Sequence, residues 1–348
     1  MEDRVLSRLR IVQAILSRGF AGSERAVAEA CNAMCPEHDV ALVLRRDDRS
    51  RAGASIRDHL DGGVELIEVP ALWRTRVAVR EAIRAWRPDV VHTHLRRGTR
   101  LVAQVRPAAA HLCTVHLSIN GPHYLQADGI ICMTEWQLET IPADYRGRRF
   151  LIPNSLVPEP PLATEIIREI RASFGATDAD FVIGGVGRVV PGKGFDVLLQ
   201  AFERAALPAA RLVIVGDGRE LPRLRKLAGP RVHFAGFRRD AKQCFQAFDL
   251  FVSPSRREPF GRVIIEALDA GTPVVASDVQ GPRDIARRYP LEIVPAEDVG
   301  ALAVALRRAS ERPRERLQLD LSEFHVEHIA RRILAAYRET IAAKAASA

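Results

Sequence analysis

The sequence predicts an α/β fold with two domains, each built on a parallel sheet covered by helices. Short apolar runs alternate along the chain with helical stretches, a pattern typical of parallel strands joined by helices. The length of 348 residues exceeds that of a typical single domain. Four prolines between positions 153 and 161 make the clearest break in the pattern and predict a linker there.

The first half contains seven apolar runs that we interpret as strands, and the second half contains six. A long helix is predicted at the end of the chain, over about 322–343. The predicted strands of the first half are 9–16, 40–44, 64–69, 90–94, 112–116, 130–133 and 150–152. Those of the second half are 181–186, 212–215, 232–234, 250–253, 274–276 and 292–294.

Composition excludes several classes of protein. The hydrophobic share of 47% is sufficient for large cores, yet no run of eighteen apolar residues predicts a transmembrane helix. The first ten residues are too charged for a signal peptide, and the five scattered cysteines read as reduced core thiols in a cytoplasmic protein. The net charge of +8 is spread evenly over both halves, so it does not predict a nucleic-acid partner.

Arginine clusters in the first half are the main feature of the charge pattern. We expect them to be either solvated surface or contacts to anionic lipid headgroups or an acidic acceptor. The clusters are Arg45, Arg46, Arg49 and Arg51; Arg74 and Arg76; and Arg96, Arg97 and Arg100.

The segment 253–277 contains two glutamates eight positions apart. Glu258 falls in the loop between a predicted strand and a helix over 261–270, and Glu266 lies more than one turn into that helix. The free N–H groups at such a helix start suit a phosphate. Two carboxylates around a phosphate site would suit a sugar nucleotide, while the alternative is that both glutamates merely lie on a surface helix.

A second segment, 181–202, passes from a buried strand through a glycine-rich turn into an amphipathic helix. Arg188 and Lys193 flank this turn, and two such cations could bind a diphosphate. Only four of the 51 basic residues are lysines, and Lys193 stands between two glycines. The alternative is a lysine in an exposed turn, since the glycine spacing matches no phosphate-binding loop or dinucleotide fingerprint.

These motifs resemble retaining glycosyltransferases of family four, which have the GT-B fold. The resemblance rests on Glu258-x7-Glu266, G-R-x-x-P-G-K-G at 187–194, V-G-D-G at 215–218 and F-A-G-F at 234–237. It implies two Rossmann-like domains that face a cleft, an acceptor-binding domain over 1–157 and a donor-binding domain over 158–322. The C-terminal helix, 323–348, is expected to pack back on the first domain.

The resemblance also implies roles for individual residues. Arg188 and Lys193 would bind the donor diphosphate, Glu258 the sugar hydroxyls and Glu266 the ribose. The two glycines that the family usually carries after the first strand are here Gly22 and Ser23, a departure that equally fits Ser23 as a helix N-cap. The other expected donor-binding residues are Gly187, Gly236, Phe237, Phe260, Gly261, Arg262 and Val263.

Histidines supply the acid–base candidates of the first half. His92 and His94 end one predicted strand, His116 ends another, and His123 follows in a loop. Ligands of parallel α/β sheets bind beyond the carboxyl ends of strands, so the three strand-end histidines are well placed, while the alternative for a lone histidine at a strand end is a structural role. His116 ranks first, because the family often has a histidine there near the reacting carbon.

No metal site is expected. Asp178 and Asp180 spell the D-x-D motif of metal-dependent glycosyltransferases, but they precede the strand at Phe181 and read as a turn. No other group of histidines, cysteines or carboxylates has metal-ligand spacing. The resemblance likewise implies no cofactor and no required metal.

Taken together, these features predict a metal-independent retaining hexosyltransferase. We expect it to move a sugar from a nucleotide diphosphate, with UDP-sugar preferred, to a glycan or lipid-linked acceptor of the cell envelope. Such an enzyme would be cytoplasmic and peripheral at the inner membrane face, and T-H-L-R-R-G at 93–98 with H-Y-L-Q-A-D-G-I-I at 123–131 resembles the lipopolysaccharide group. The alternatives are a nucleotide-sugar epimerase, for which further acid–base carboxylates are lacking, and a non-catalytic sugar-nucleotide-binding protein.

Overall fold

A computed structural model describes residues 8–50, 53–71 and 74–347. The chain forms two compact units. Unit 1 comprises Met1–Val157 and Ser322–Ala348, and unit 2 comprises Pro158–Leu321. Each unit contains one sheet whose strand pairs are all parallel, with seven strands in unit 1 and six in unit 2.

The sheet of unit 1 has the order β3-β2-β1-β4-β5-β6-β7. Strands β1, β4 and β5 are almost entirely buried, since helices cover both faces of a parallel sheet. The strands are β1 Arg10–Ile15, β2 Asp39–Arg45, β3 Val64–Val69, β4 Val90–His94, β5 Ala110–Val115, β6 Gly129–Cys132 and β7 Arg148–Leu151.

The helices of unit 1 are α1 Gly22–Met34, α2 Thr75–Trp86, α3 Leu95–Val105, α4 Glu135–Glu139 and the C-terminal α12 Val326–Ser347. Helix α12 packs on one face of the unit 1 sheet, where Ile329, Ile333 and Tyr337 join the core formed by α1, β1 and β5. The predicted packing of the C-terminal helix on the first domain is therefore present.

The sheet of unit 2 has the order β10-β9-β8-β11-β12-β13. Its strands are β8 Phe181–Val186, β9 Ala210–Val215, β10 Val232–Gly236, β11 Leu250–Ser253, β12 Val274–Ser277 and β13 Leu291–Val294. Its helices are α5 Thr164–Ser173, α6 Phe195–Ala205, α7 Leu221–Leu227, α8 Ala241–Cys244, α9 Arg262–Asp269, α10 Gln280–Ala286 and α11 Val299–Ser310.

Two helix boundaries differ from prediction. Ser23 is not an N-cap, because α1 begins at Gly22 and Ala21 is the N-cap. The carboxylate of Glu24, in the first turn, accepts the N–H of Ala21 at 3.2 Å and so satisfies the helix start in place of Ser23. The C-terminal helix begins at Val326, because a bridge between Leu156 and His325 separates it from the short 3-10 turn Ser322–Phe324.

Two further sequence predictions concern membrane-spanning helices and the state of the cysteines. Within the part of the chain that the structure describes, no helix is both long and apolar enough to cross a bilayer. All five cysteines are free thiols, and Cys31, Cys113, Cys132 and Cys244 are buried as predicted.

Candidate functional site

The carboxyl ends of strands β8, β9, β10 and β11 lie at one edge of the unit 2 sheet, and their loops bond to one another. Gly187 donates its N–H to Val215 at 3.0 Å, and Gly216 donates to Gly236 at 2.7 Å. The loops after three neighbouring strands therefore form one continuous backbone layer. In open parallel sheets this edge is where ligands bind.

The predicted glycine-rich turn lies in that layer. Pro191–Lys193 form a single 3-10 turn, and Gly194 follows with φ of 66°. A Cβ on Gly194 would lie 1.9 Å from the carbonyl oxygen of Pro254, so only glycine permits this approach. The turn that carries Lys193 is thereby brought against the loop after β11, which carries Glu258.

Arg256 fixes this contact, and sequence reasoning did not identify it. Nη1 of its side chain donates to the carbonyl oxygen of Pro191 at 2.7 Å. Its backbone N–H donates to the carbonyl oxygen of Gly192 at 2.9 Å. Its guanidinium also binds both oxygens of Asp196, at 2.8 and 2.9 Å. These bonds raise the pKa of Arg256 and keep it charged. The available signal was an arginine two residues before Glu258, inside the segment 253–277.

Lys193 and Glu258 form an ion pair across the contact. Nζ of Lys193 lies 2.5 Å from Oε2 of Glu258, with 22% and 10% of their side chains exposed. The hydroxyl of Ser255 lies 3.5 Å from the same oxygen, and the Glu258 carbonyl accepts the N–H of Gly281 at 2.9 Å. A cation and a carboxylate 65 positions apart in the sequence are thus in direct contact, and both are largely shielded from solvent.

Helix α9 begins directly after this pair. Gly261 is its N-cap with φ of 102°, and a Cβ there would come within 3.0 Å of Ile264. Phe260 is buried, Val263 is half-buried, and the first-turn N–H groups of a helix have no partner inside it. Such a helix start favours an anion, so Lys193 and α9 present positive potential near one another.

Glu266 is paired inside its own helix. Nε of Arg262 donates to Oε1 of Glu266 at 3.1 Å, and each side chain is only 9% exposed. The ion pair holds the Glu266 carboxylate in one orientation, so its oxygens are positioned to accept hydrogen bonds. The side chain of Arg262 therefore orients Glu266, which adds to the donor-binding role predicted for Arg262.

Arg188 and Phe237 have exposed side chains at the same edge. Among the residues that the structure describes, no carboxylate pairs with Arg188. Phe237 follows β10 with 67% exposure, which is high for so large an apolar side chain. A guanidinium without a counter-ion and an exposed ring are both available to a ligand at this edge.

His92, His94 and His116 belong to one buried network at the carboxyl ends of β1, β4 and β5. His94 contacts His116 at 3.0 Å and Gln13 at 2.8 Å. Gln13 donates through Nε2 to the hydroxyl of Tyr337 at 2.8 Å, and Tyr337 lies 2.7 Å from His92. Helix α12 thus contributes Tyr337 to the network of the predicted acid–base candidates.

The network fixes which nitrogens carry protons. Because Gln13 donates its amide N–H to Tyr337, its oxygen accepts from Nε2 of His94. A neutral imidazole carries one proton, so Nδ1 of His94 must accept from Nε2 of His116. The unprotonated nitrogen of His116 is then Nδ1, and it can accept a hydrogen bond from a hydroxyl.

Burial keeps these histidines neutral. It lowers the pKa of His116 to about 4 and that of His92 to about 3, and it lowers the pKa of His94 well below the usual value. A general base works best with a pKa near the working pH, which His116 is far from. The arrangement suits a hydrogen-bond acceptor that positions a hydroxyl better than a group that removes its proton.

This burial predicts a pH dependence of stability. Between about pH 4 and pH 6.5 His92, His94 and His116 are protonated in the unfolded chain but stay neutral in the folded one. The free energy of unfolding must therefore rise with pH in this window. Each such histidine contributes up to about 1.4 kcal/mol per pH unit. We expect the Tm to fall clearly from pH 7 to pH 5 and to fall less in His92→Asn. Equal Tm values at both pH values in the wild type would contradict the buried neutral network.

The other candidates of unit 1 are more distant from the network. His123 is buried, its Nε2 has no partner within the described residues, and burial followed by the charges of Arg96 and Arg100 lowers its pKa. Gly22 is exposed and Ser23 half-buried in the first turn of α1, after β1. They contribute backbone near the carboxyl end of β1, the strand that carries Gln13.

The D-x-D string forms a turn, as predicted. Asp178 pairs with Arg168 at 3.0 Å, and Asp180 accepts from the N–H and hydroxyl of Thr177 at 2.7 and 2.8 Å. Over residues 8–50, 53–71 and 74–347, no three histidine, cysteine or carboxylate side chains gather as metal ligands would.

The family model of glycosyl transferases group 1 matches residues 180–312, which cover the turn, both glutamates and the helix start described above. The lipopolysaccharide core biosynthesis glycosyltransferase LpsD of Rhizobium meliloti is 29% identical over 87% of this chain and 89% of its own length.

Solved structures give the same assignment of fold. The Anabaena protein HepE, solved in complex with UDP and glucose, has a TM-score of 0.73 at 19% identity and matches 98% of this chain and 100% of its own. WaaG, a glycosyltransferase involved in lipopolysaccharide biosynthesis, has a TM-score of 0.67 at 18% identity and matches 94% of this chain and 95% of its own. The predicted GT-B fold, with two parallel-sheet domains, is confirmed.

Proposed function

We propose that the chain is a glycosyl transferase of group 1 and that it transfers a hexose from a nucleotide diphosphate sugar to a hydroxyl with retention at the anomeric carbon. The observation that supports this most is the pair of Lys193 and Glu258 beside the start of α9. It offers a cation and helix N–H groups for a diphosphate, and a carboxylate for sugar hydroxyls.

In this reaction Arg188 and Lys193 bind the diphosphate of the donor. Negative charge grows on the leaving diphosphate as the bond to the sugar breaks, and fixed cations stabilise that charge most in the transition state. When the donor binds, Lys193 exchanges part of its contact with Glu258 for the phosphate. Glu258 then accepts hydrogen bonds from the sugar, and Glu266, oriented by Arg262, accepts them from the ribose.

The acceptor hydroxyl belongs to unit 1 in this proposal. Nδ1 of His116 accepts its hydrogen bond, while Gln13 and Tyr337 act as positioning residues that fix the imidazole. The low pKa of His116 favours a same-face departure and attack, in which the leaving phosphate takes the proton. We propose a cell-envelope glycan as acceptor, since LpsD and WaaG are named for lipopolysaccharide synthesis.

UDP is the proposed nucleotide, because HepE was solved with UDP and glucose. The protein named GDP-mannose-dependent alpha-mannosyltransferase of Mycobacterium tuberculosis, 41% identical over 31% of this chain, is a reason to include GDP-sugars in any assay.

We also propose a peripheral contact of unit 1 with an anionic membrane surface. The contact would use exposed arginines, whose attraction extends over about a Debye length of roughly 8 Å in physiological salt. Sedimentation with anionic liposomes should therefore occur at low salt and decline at high salt. Absence of binding at both, with full activity on a water-soluble oligosaccharide, would refute the contact and leave the transferase proposal unaffected.

Release of nucleoside diphosphate without acceptor is the experiment that tests the function. We expect the protein to release it slowly from one of UDP-, GDP- or ADP-sugars and faster with a glycan acceptor. A non-catalytic binding protein would release none, and an epimerase would convert the sugar while the nucleotide stays attached.

The same assay tests the proposed independence of metals. In excess chelator we expect the rate to persist. A complete loss that magnesium restores would return attention to Asp178 and Asp180 and would overturn the metal-free mechanism.

A further inference from the structure

A cavity of about 740 Å³ in unit 1 is lined by five arginines from two helix starts. Among the residues that the structure describes, its lining includes Arg74, Thr75 and Arg76 at the start of α2 and Arg96, Arg97 and Arg100 of α3. The volume lies in the range of pockets that bind small molecules. Two of the three arginine clusters in the sequence thus meet at one place.

The cavity arginines have no carboxylate partners within the described residues. In contrast, Arg45, Arg46 and Arg49 of the remaining cluster pair with Asp47, Glu68 and Asp58 respectively, while Arg51 lies outside the described residues. The carboxylate that acts on Arg97 is Asp47, and Arg18 and Arg45 already bind it. The positive charge of the cavity is therefore not compensated by the protein.

The position of these charges is unfavourable without a ligand. Cations destabilise the first turn of a helix, yet Arg76 lies in that of α2, Arg96 and Arg97 in that of α3, and neither turn has an acidic residue. Arg96 and Arg100 are also like charges at i,i+4, which repel. An anion bound between the two helix starts would interact favourably with both helix dipoles and would offset the repulsion among the arginines.

The backbone around the cavity carries strain as well. Arg74 has φ of 64° and Leu95 has φ of 60°, a region that non-glycine residues rarely adopt. Such a conformation persists only where the surrounding structure requires it. Both residues directly precede an arginine or threonine of the cavity wall.

The cavity adjoins the acceptor side of the proposed site. His94, which contacts His116 at 3.0 Å, is the N-cap of α3, and Arg96 follows two residues later. Arg96 and Arg100 also act on His123. An anionic group in the cavity and a hydroxyl at His116 can therefore belong to one molecule.

We propose that this arginine cavity binds a phosphate group of the acceptor, so that the enzyme acts on a phosphorylated glycan. This rests on the proposed function, in which unit 1 binds the acceptor. Arginine is the side chain that best fits the oxygens of a phosphate in pairs. The volume leaves room for the sugar that carries the phosphate.

The test is ³¹P NMR titration of the full chain with glucose 6-phosphate at low salt, with Arg96→Gln/Arg100→Gln as the cavity variant. The matched control is Arg80→Gln/Arg84→Gln, which removes two exposed arginines at the same spacing from α2 outside the cavity. Lys193→Ala separates the cavity from the donor site. We expect affinity to fall at least tenfold in the cavity variant alone, and glucose itself not to compete.

Absence of binding, or binding that the cavity variant retains, would overturn the proposal. Loss of glucose 6-phosphate binding in Lys193→Ala would also overturn it, because the phosphate would then occupy the donor site. Phosphatidylglycerol vesicles test the lipid source: vesicle binding lost in the cavity variant, with glucose 6-phosphate binding unchanged, would assign the arginines to a membrane instead. The titration needs no donor, so failure of donor turnover refutes only the proposed function.

Discussion

Lys193→Ala should lower turnover of the nucleotide sugar at least about a hundredfold. Removal of one donor to a developing negative charge costs about 10²–10³ in turnover in enzymes that stabilise an oxyanion. The Pro191–Lys193 turn, Gly194 and Arg256 hold the backbone of Lys193 at this position, so its ammonium is directed at one place. The measurement is steady-state release of nucleoside diphosphate under saturating donor.

The control for this change is Lys226→Ala, which removes an exposed lysine of α7 in the same unit. Because Lys193→Ala leaves the buried carboxylate of Glu258 without its cationic partner, the Tm of the variant must be measured too. Wild-type turnover in a folded Lys193→Ala protein would remove Lys193 from the site.

Glu258→Gln should lower turnover about tenfold to hundredfold, since hydrogen bonds to a charged group contribute about 1.5–3 kcal/mol. The amide keeps the shape of the side chain but loses the negative charge that holds Lys193 at 2.5 Å and that we propose strengthens the hydrogen bonds from the sugar hydroxyls. Glu169→Gln, on the exposed side of α5, is the matched control. The readout is again nucleotide release.

The double variant Lys193→Ala/Glu258→Gln distinguishes a shared role from two separate ones. Residues in contact that act in one step do not have additive effects. We therefore expect the double variant to be much less impaired than the product of the single effects. Full additivity would mean that the ion pair has no part in catalysis.

The strands were predictable because both faces of a parallel sheet are buried. Thus 90–94, 181–186 and 250–253 agree residue for residue with the buried strands β4, β8 and β11. The prediction of 64–69 also agrees with β3, although Glu65, Leu66 and Glu68 of this edge strand are exposed. Helix starts were less predictable, because they depend on which side chain satisfies the free N–H groups. At α1 that is Glu24, which lies one residue after the predicted Ser23.

Contacts between residues far apart in the sequence were the part of the site that could not be predicted from the sequence. The pattern indicated His94 and His116, but not Tyr337, which reaches Gln13 across 324 positions. One signal for Gln13 was present: it is the polar residue within the buried stretch 11–15 of β1, whose other residues are apolar. Likewise, charge alone could not separate the paired cluster at Arg45 from the unpaired one at Arg96.

The central claim is that the Lys193–Glu258 pair and the start of α9 bind a nucleotide sugar. Isothermal titration of UDP-, GDP- and ADP-sugars into the wild type and Lys193→Ala, in excess chelator, tests it most directly. The account predicts saturable binding of one nucleotide class by the wild type, at least tenfold weaker in Lys193→Ala. Binding of none of the three, or equal affinity in both proteins, would contradict it.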